Sequence, residues 1–322
     1  MSFEAEIAAS VAYLASSEAI DCLAEDTYWP KWDAPWWHML LLHEMGHTDL
    51  IPGSTLRHFV AALDRYPLKI FPIHPGDMPD GVDPHRGYPC HCQLGNVYQV
   101  LAAAGIDVDR ELPWIRPWFL RYQMADGGLT CDNDAYLIQD ECPSSMIGTI
   151  AAFESILLCT PRPWTKEEAA FLAAGARFLI DRQLMRGSHT KHNASERVSA
   201  QKWMDVCFPR YYYYDVLRGL TALLIWAEKT GAALPTVTVE DVVNHLRRRF
   251  PDDIVRCERL SYEGIGTIFR APTREWIKKR PAPLASVFPL LTAASAVGRS
   301  SPFLSRQWLE AKTRLQKLRL YA

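Results

Sequence analysis

The sequence predicts an all-α protein, and more specifically an α/α toroid of five to six helical hairpins. A repeated pattern carries this prediction: an apolar helix ends at a glycine, and a proline a few residues later begins a more polar helix. The three clearest copies are Gly46–Pro52, Gly105–Pro113 and Gly231–Pro235. Glycine suits the left-handed residue that ends a helix, and proline suits the start of the next one. Repeated helix pairs stack into arrays or closed rings.

The apolar helices are expected to form an inner ring, because a helix that is apolar on nearly all sides is buried, whereas a helix with one polar face lies at the surface. The predicted inner segments are 37–45, 94–104, 146–158, 217–230 and 285–297. Repetition indicates one domain over residues 1–322, with an N-terminal helix at 1–17 packed on the outer ring.

Composition narrows the possible partners. The 322 residues are 48% apolar, and 35 basic against 37 acidic residues give a net charge of −2, so nucleic acid is not an expected partner. No apolar run reaches the ~18 residues of a transmembrane helix, and no signal sequence is evident, so we expect a cytoplasmic protein that binds an apolar small molecule. The eight cysteines then predict reduced thiols. The oligomeric state is left open.

The long connections are all expected at one end of the ring. They are Tyr66–His91, Ala125–Cys142, Arg186–Arg210 and Pro251–Pro283, and each leads into an apolar helix. Function usually collects on such loops, and the positive ends of the helix dipoles face the same side. We call this side the entrance end.

Reactive and aromatic side chains are concentrated at the predicted entrance end. The candidate acid–base residues are Asp140, Tyr212, Tyr213, Asp215, His91 and His38, and the candidate substrate-binding residues are Trp36, Trp37, Tyr98, Tyr211 and Arg210. A tyrosine next to a carboxylate can donate or remove a proton. We expect at least three of His91, Asp140, Cys142, Tyr212 and Asp215 to line one apolar pocket.

One motif resembles a known family. Residues Trp118–Leu129, WFLRYQMADGGL, are similar to the Gln-x-x-Asp-Gly-Gly repeat of the α/α-toroid family, which contains squalene-hopene and other terpenoid cyclases and the β subunits of protein prenyltransferases. In that family the motif fastens helices together, which assigns a structural role to Gln123, Asp126 and Gly127. The resemblance implies an enzyme that acts on an isoprenoid or similar apolar substrate in a central cavity, by prenyl transfer, cyclisation, isomerisation or hydration.

The resemblance also implies a zinc site. Asp140-Glu141-Cys142 is similar to the Asp-x-Cys zinc ligands of prenyltransferases, but Tyr212 stands where their histidine is expected, so the third ligand is assigned to Cys92 of Cys90-His91-Cys92. Zinc needs three or four converging ligands. The cyclase acid motif is incomplete, because Asp132-Asn133-Asp134-Ala135 lacks its fourth acidic residue.

Two alternatives remain open. The first is a non-catalytic toroid that binds or scaffolds a partner, which the incomplete motifs favour. The second is a zinc metallopeptidase, because His43-Glu44-Met45-Gly46-His47 matches the His-Glu-x-x-His pattern. Gly46 occupies the position of the other helix-ending glycines, so the repeat predicts that His43 and His47 do not share one helical face.

Overall fold

Helices make up most of the described chain, so the all-α prediction is confirmed. The computed structural model describes residues 3–66, 68–69, 89–262 and 284–320, together with residues 76, 80, 266, 267, 269, 270, 276 and 277. Much of two predicted return segments, Tyr66–His91 and Pro251–Pro283, lies outside the described residues.

In chain order, the helices are α1 (Glu4–Leu14), α2 (Ser17–Glu25), α3 (Pro35–Glu44), α4 (Gly53–Asp64), α5 (His91–Ala103), α6 (Val108–Glu111), α7 (Ile115–Tyr122), α8 (Met146–Cys159), α9 (Lys166–Asp181), α10 (Glu196–Ala200), α11 (Val216–Thr230), α12 (Thr236–Arg249), α13 (Pro289–Ala294) and α14 (Pro302–Lys317). Short 3-10 turns occur at Thr48–Leu50 and Asp134–Leu137. Strands β1 (Phe269–Arg270) and β2 (Trp276–Ile277) form one small antiparallel pair.

The glycine–proline pattern has the predicted physical basis. Gly46, Gly105 and Gly231 adopt positive φ, between 70° and 82°, at the ends of apolar helices, and Gly298 (φ 81°) does so in the turn that follows α13. Prolines follow at the helix starts: Pro52 and Pro235 directly precede α4 and α12, and Pro302 is the first residue of α14. Each pair therefore turns tightly, because the left-handed glycine reverses the chain and proline is already set for a helical start.

The apolar helices α3, α5, α8 and α11 run in the same direction. The C-terminal ends of the first three meet, since His43, Ala102 and Cys159 line one cavity. Near the end of α11, the Lys229 ammonium donates a hydrogen bond to the Leu157 carbonyl at 2.7 Å. The short turns after these helices therefore lie near one another. Helix α13 is shorter than the predicted segment 285–297.

The N-terminal region contains a helix within the predicted segment 1–17. This helix is α1, which ends at Leu14 and packs against α3 and α13, and a break separates it from α2, which begins at Ser17. Ser16 causes the break, because its side chain accepts a hydrogen bond from the Ala19 amide and caps α2. Among the described residues, no single helix has the length and hydrophobicity to cross a membrane, and the bent pair α1–α2 meets that test only by length and composition.

Helices α5 and α8 make the most extensive helix–helix contact in the described chain. Gly95 allows it: a Cβ atom at this position would lie 2.3 Å from the backbone carbon of Ala151 and 2.4 Å from the nitrogen of Ala152. The two backbones thus touch without an intervening side chain. This contact fixes the spacing between the beginnings of α5 and α8.

Replacing Gly95 with alanine should therefore lower the free energy of unfolding by about 3 kcal/mol, the upper range for an overpacked core, because neither backbone can yield without moving its helix. Urea denaturation followed by circular dichroism measures this change. Gly53→Ala is the matched control, since its added methyl group meets only the flexible end of Arg57 at 3.6 Å. Equal stability of the two variants would contradict the assigned role of Gly95.

Candidate metal and thiol site

Three cysteine thiols converge at the start of α5. Cys90 is the N-cap of this helix, Cys92 lies in its first turn, and Cys131 lies in the segment that leads into α8. All three Sγ atoms lie within 4.8 Å of one another, and those of Cys90 and Cys92 are 3.1 Å apart. We call these residues the three-thiol cluster. It is the one group of three or more metal-ligating side chains found in the described part of the chain.

The cluster favours one thiolate. Hydrogen bonds from the Cys131 and Cys92 thiols hold the pKa of Cys90 well below its usual range, and the same sharing raises the pKa of Cys92 and of Cys131. The Cys92 amide, in the first turn of α5, points to the Cys131 sulfur at 3.4 Å. Backbone amides at a helix start favour negative charge. The site is thus prepared for anionic sulfur.

His91 lies between the two α5 cysteines in sequence but does not join the cluster. Its ring is fully buried, its Nδ1–H donates to the Thr130 carbonyl at 2.6 Å, and its Nε2 accepts from the Trp118 indole at 2.8 Å. Burial lowers the pKa of His91 to about 4, so the ring is neutral. His91 therefore positions Thr130, and with it the Cys131 segment, and its nitrogens are already engaged.

An amine and several aromatic rings lie beside the cluster. The Lys31 ammonium donates to the Tyr212 hydroxyl at 3.0 Å and lies 5.2–5.7 Å from the ring centroids of Tyr28, Trp29, Trp32 and Tyr212. Burial lowers the pKa of Lys31, and the Coulombic effect of Cys92 and Cys90 opposes this decrease. No carboxylate pairs with Lys31 among the described ion pairs. The thiol cluster is therefore the source of negative charge beside this ammonium.

The four consecutive tyrosines precede α11 rather than begin it. Asp215 is the N-cap of that helix, and Tyr211 has a left-handed backbone with φ 55°. The turn sends the side chains in different directions: Tyr211 stacks on Trp32 at 5.4 Å, Tyr212 bonds Lys31, and the Tyr214 hydroxyl donates to the Leu184 carbonyl. Tyr211, Tyr212 and Tyr214 are all buried.

Buried ion pairs hold this turn in place. The Glu44 carboxylate accepts hydrogen bonds from the backbone amides of Arg210 and Tyr211, at 2.7 and 2.6 Å. The Arg218 guanidinium donates to the carbonyls of Tyr211 and Tyr213, both at 2.9 Å, and pairs with Glu154 of α8 at 2.6 Å. Buried charges of this kind persist only when they are paired and hydrogen-bonded. The network joins α3, α8 and α11 to the tyrosine turn.

Asp215 does not act as the predicted partner of Tyr212 and Tyr213. It is fully buried, pairs with Arg210 at 2.6 Å and caps α11 through the Arg218 amide. Burial alone would raise the pKa of Asp215, but the Arg210 guanidinium holds it below its usual value. The carboxylate therefore stays ionised in a structural pair, while the Tyr212 hydroxyl donates to that of Tyr213 at 3.3 Å.

The remaining acid–base and metal candidates lie in different environments among the described residues. Asp140 is exposed and Cys142 is half-buried, and neither belongs to the cluster that contains Cys92. The residue between them, Glu141, accepts the backbone amides of Lys191 and His192. His38 is buried between Tyr13 and Phe288, with 3.6 Å between its centroid and that of Phe288. Burial lowers the pKa of His38 to about 3.

The predicted substrate-binding residues also divide. Trp37 and Tyr211 belong to the aromatic group around Trp32, near Lys31. Trp36 instead stacks on Phe59 of α4, and Arg210 pairs with Asp215. Tyr98 faces the outer layer, where its hydroxyl donates to Asp109 and accepts from Arg116. Only the first two therefore lie where a substrate at the cluster would meet them.

The peptidase-like motif forms a helix end. Helix α3 stops at Glu44, Gly46 has φ 82°, and His47 precedes the 3-10 turn. His43 Nδ1 pairs with the Thr48 hydroxyl at 3.0 Å, while Glu44 holds the tyrosine turn. The glutamate that would activate water in a peptidase is thus occupied by backbone amides.

The Gln-x-x-Asp-Gly-Gly motif fastens the Cys131 segment to the outer helix α9. The Gln123 amide donates to the carbonyls of Gly127 and Phe171, and Asp126 accepts the Gly128 amide and the Ser144 hydroxyl. Leu129 and Ser145 then form a β-bridge. The motif therefore has a structural role here, and it positions Cys131.

Sequence reasoning missed Cys131 and Lys31. Cys131 follows the Asp-Gly-Gly turn and lies in a return segment already expected at the entrance end, so extending the candidate list over whole segments would have included it. Lys31 gave no such signal, because its position depends on the turn at Trp32, which has φ 68°.

Comparisons with models of known families, with curated proteins and with solved structures find no match for this chain.

Breaking the Glu154–Arg218 pair should be costly. Arg218→Met leaves a carboxylate that is 8% exposed without its partner, so the free energy of unfolding should fall by about 3–5 kcal/mol. Adding Glu154→Gln should recover part of this loss, since the amide removes the unpaired charge and keeps the hydrogen bond from Gln99. Urea denaturation of both variants measures the difference. Identical losses would show that charge pairing is not the cause.

The neutral state of His38 predicts acid sensitivity. Burial holds its pKa at about 3 in the folded protein, well below the ordinary value of 6.5 that applies once the chain unfolds, so the unfolded chain binds a proton that the folded chain does not. Stability from this group is present above pH 6.5 and is lost as the pH falls towards 3. His38→Phe should therefore flatten the decline in unfolding free energy between about pH 7 and about pH 4. Met39→Leu, a buried neighbour without an ionisable group, should leave the slope unchanged.

Proposed function

We propose that this protein is a metalloprotein whose three-thiol cluster binds a zinc ion. The observation that carries the proposal is the convergence of Cys90, Cys92 and Cys131 within 4.8 Å. Zinc–sulfur bonds of about 2.3 Å in a tetrahedron place ligand sulfurs about 3.8 Å apart, which lies within the separations found in the cluster. Small changes in side-chain torsion would therefore complete the site.

The donor set selects the class of metal. Thiolates favour zinc and other soft ions over magnesium or calcium, which take oxygen ligands. The described residues supply three ligands, and His91 is not a fourth because both its ring nitrogens are engaged. Three protein ligands with a further position are typical of catalytic rather than structural zinc sites.

A catalytic role is the finer part of the proposal. A zinc ion held here would act as a Lewis acid on one further ligand. The chain's own residues would then serve the substrate: Lys31 offers a cation beside the sulfurs, and the Tyr212 hydroxyl holds that ammonium at 3.0 Å. The rings of Trp32 and Tyr211 supply an apolar wall. This wall supports an isoprenoid or similar apolar substrate.

We also propose that the inner helices close into the α/α toroid implied by the resemblance. The parallel arrangement of α3, α5, α8 and α11, and the contacts of α1 with α3 and α13, support a closed ring. The sequence pattern of alternating apolar and polar helices supports it as well.

A non-catalytic binding or scaffold protein is the second candidate, and one observation favours it. The inner helices pack around Glu44, Glu154 and Arg218, whose ion pairs and backbone contacts join these helices to one another. Such a polar core leaves less room for a long substrate between the helices.

Tryptophan fluorescence distinguishes the two functions, with farnesol and farnesyl diphosphate as probes. Saturable quenching by farnesol supports the enzyme, and no response to either probe supports the scaffold.

Metal analysis of the purified full-length chain tests the main proposal. We expect one zinc ion per chain and, after exchange for Co²⁺, the intense charge-transfer absorption of thiolate ligands. Each of Cys90→Ser, Cys92→Ser and Cys131→Ser should weaken binding by more than about 100-fold, beyond the cost of an outer-shell change.

Cys142→Ser and Cys159→Ser are the matched controls, since these half-buried cysteines lie outside the cluster. They should retain the full metal content. A protein without bound metal, or loss of metal from the Cys142 variant, would contradict the assigned ligand set.

A further inference from the structure

A cleft opens beside the three-thiol cluster. It has a volume of about 230 Å³ and lies between the Thr130–Asp132 segment, the start of α8 and the residues around α10. Cys131 belongs to both features: it lines the cleft, and its sulfur lies within 4.8 Å of the other two thiols. Cys131 therefore forms part of one cleft wall and is also a ligand of the proposed metal site.

The position of this wall is well fixed. The Thr130 carbonyl accepts a hydrogen bond from the His91 imidazole at 2.6 Å. The Leu129–Ser145 bridge joins the Thr130–Asp132 segment to the start of α8. On the far side, the buried Glu196 carboxylate accepts the Met146 amide at 2.7 Å and pairs with Arg182 at 3.0 Å. Hydrogen bonds from side chains therefore fix the backbone on both sides of the cleft.

The charges around the cleft disfavour one ligand class. Two carboxylates, Asp132 and Glu196, line it. Arg182 pairs with Glu196 at 3.0 Å and the His192 ring contacts Asp132 at 2.8 Å, so these basic side chains are already engaged. Arg197 donates to the carbonyls of Ser188 and Thr190. An anionic ligand would meet carboxylates without a cation among the described lining residues, which is unfavourable.

Neutral hydrogen-bonding groups line the cleft beside the apolar side chains of Pro143 and Ile147. Ser195 and Ser199 present hydroxyls from exposed positions, and Asn193 uses its amide nitrogen on the Ser144 carbonyl, which leaves its amide oxygen as an acceptor. Such groups recognise hydroxyl and amide functions. The volume suits a molecule much smaller than an isoprenoid chain.

We infer that this cleft binds a small, neutral, hydroxyl- or amide-bearing molecule and admits it to the three-thiol cluster. The inference rests on the proposed metal site for its catalytic meaning, since a ligand in the cleft would reach the further coordination position from the Cys131 side. The polar co-substrate of the reaction would bind in this cleft, and the apolar substrate would bind against the apolar wall on the Lys31 side. An anionic co-substrate is disfavoured in the cleft.

The first experiment uses the full-length protein loaded with Co²⁺ and 2-mercaptoethanol as a neutral probe. Thiol binding should change the cobalt absorption saturably. Ser199→Trp should fill the cleft and weaken this binding at least tenfold while the cobalt content stays the same. Val198→Trp is the matched control, because Val198 is 65% exposed on the same short helix and does not line the cleft. Equal thiol affinity in all three proteins would overturn the inference.

The second experiment needs no metal, so it separates failure of the cleft from failure of the metal site. Iodoacetamide and iodoacetate have nearly the same size, and each alkylates the Cys131 sulfur: an S–C bond forms, iodide leaves and the thiol proton is released to water. Peptide mass spectrometry gives the rate at Cys131 with each reagent, relative to the unfolded chain.

The neutral reagent should be favoured at least tenfold over the anionic one, and Ser199→Trp should remove this access whereas Val198→Trp should not. Equal relative rates for the two reagents, or unchanged access in Ser199→Trp, would overturn the inference even if metal binds. If cobalt does not bind but the alkylation pattern holds, the proposed metal function fails and the cleft remains a neutral-ligand site.

Discussion

The buried carboxylate–guanidinium network around the tyrosine turn is the constraint on which the rest of the structure depends. Glu44 binds the amides of Arg210 and Tyr211, and Arg218 binds the carbonyls of Tyr211 and Tyr213 while it pairs with Glu154. Side chains from three inner helices therefore satisfy the backbone of an irregular segment in the interior. Without them, buried polar groups of that segment would remain unpaired.

This network links architecture to the site. Because the turn is held at both amides and carbonyls, Tyr211 can adopt its left-handed backbone and Tyr212 reaches Lys31. Lys31 in turn lies beside the cysteines at the start of α5. A cluster on α5 thus depends on charges carried by α3, α8 and α11. The polar core consequently determines which groups surround the sulfurs.

The sequence predicted the helices better than their contacts. Apolar periodicity and the glycine–proline pattern located the inner helices α5, α8 and α11 to within a few residues, because both features act locally. Of the three predicted metal ligands, Cys92 lies in the three-thiol cluster. Asp140 and Cys142, which were chosen by similarity to a motif, lie outside it, and the fold uses Glu141 between them to bind the Lys191 and His192 amides. Cys131 and Lys31 depend on turn geometry that no periodicity encodes.

The backbone contact at Gly95 has a consequence for the sulfur atoms. Gly95 lies one helical turn beyond Cys92, and the Leu129–Ser145 bridge holds the segment that contains Cys131 at the start of α8, so the contact between the two helices lies near the thiols. Compressible side chains usually set the distance between helices, but here peptide groups set it. The frame that carries the sulfurs is therefore stiff, and only side-chain torsions can adjust to ions of different radius. An ion with longer bonds to sulfur, such as cadmium, would have to be accommodated by rotation of the cysteines rather than by separation of the helices.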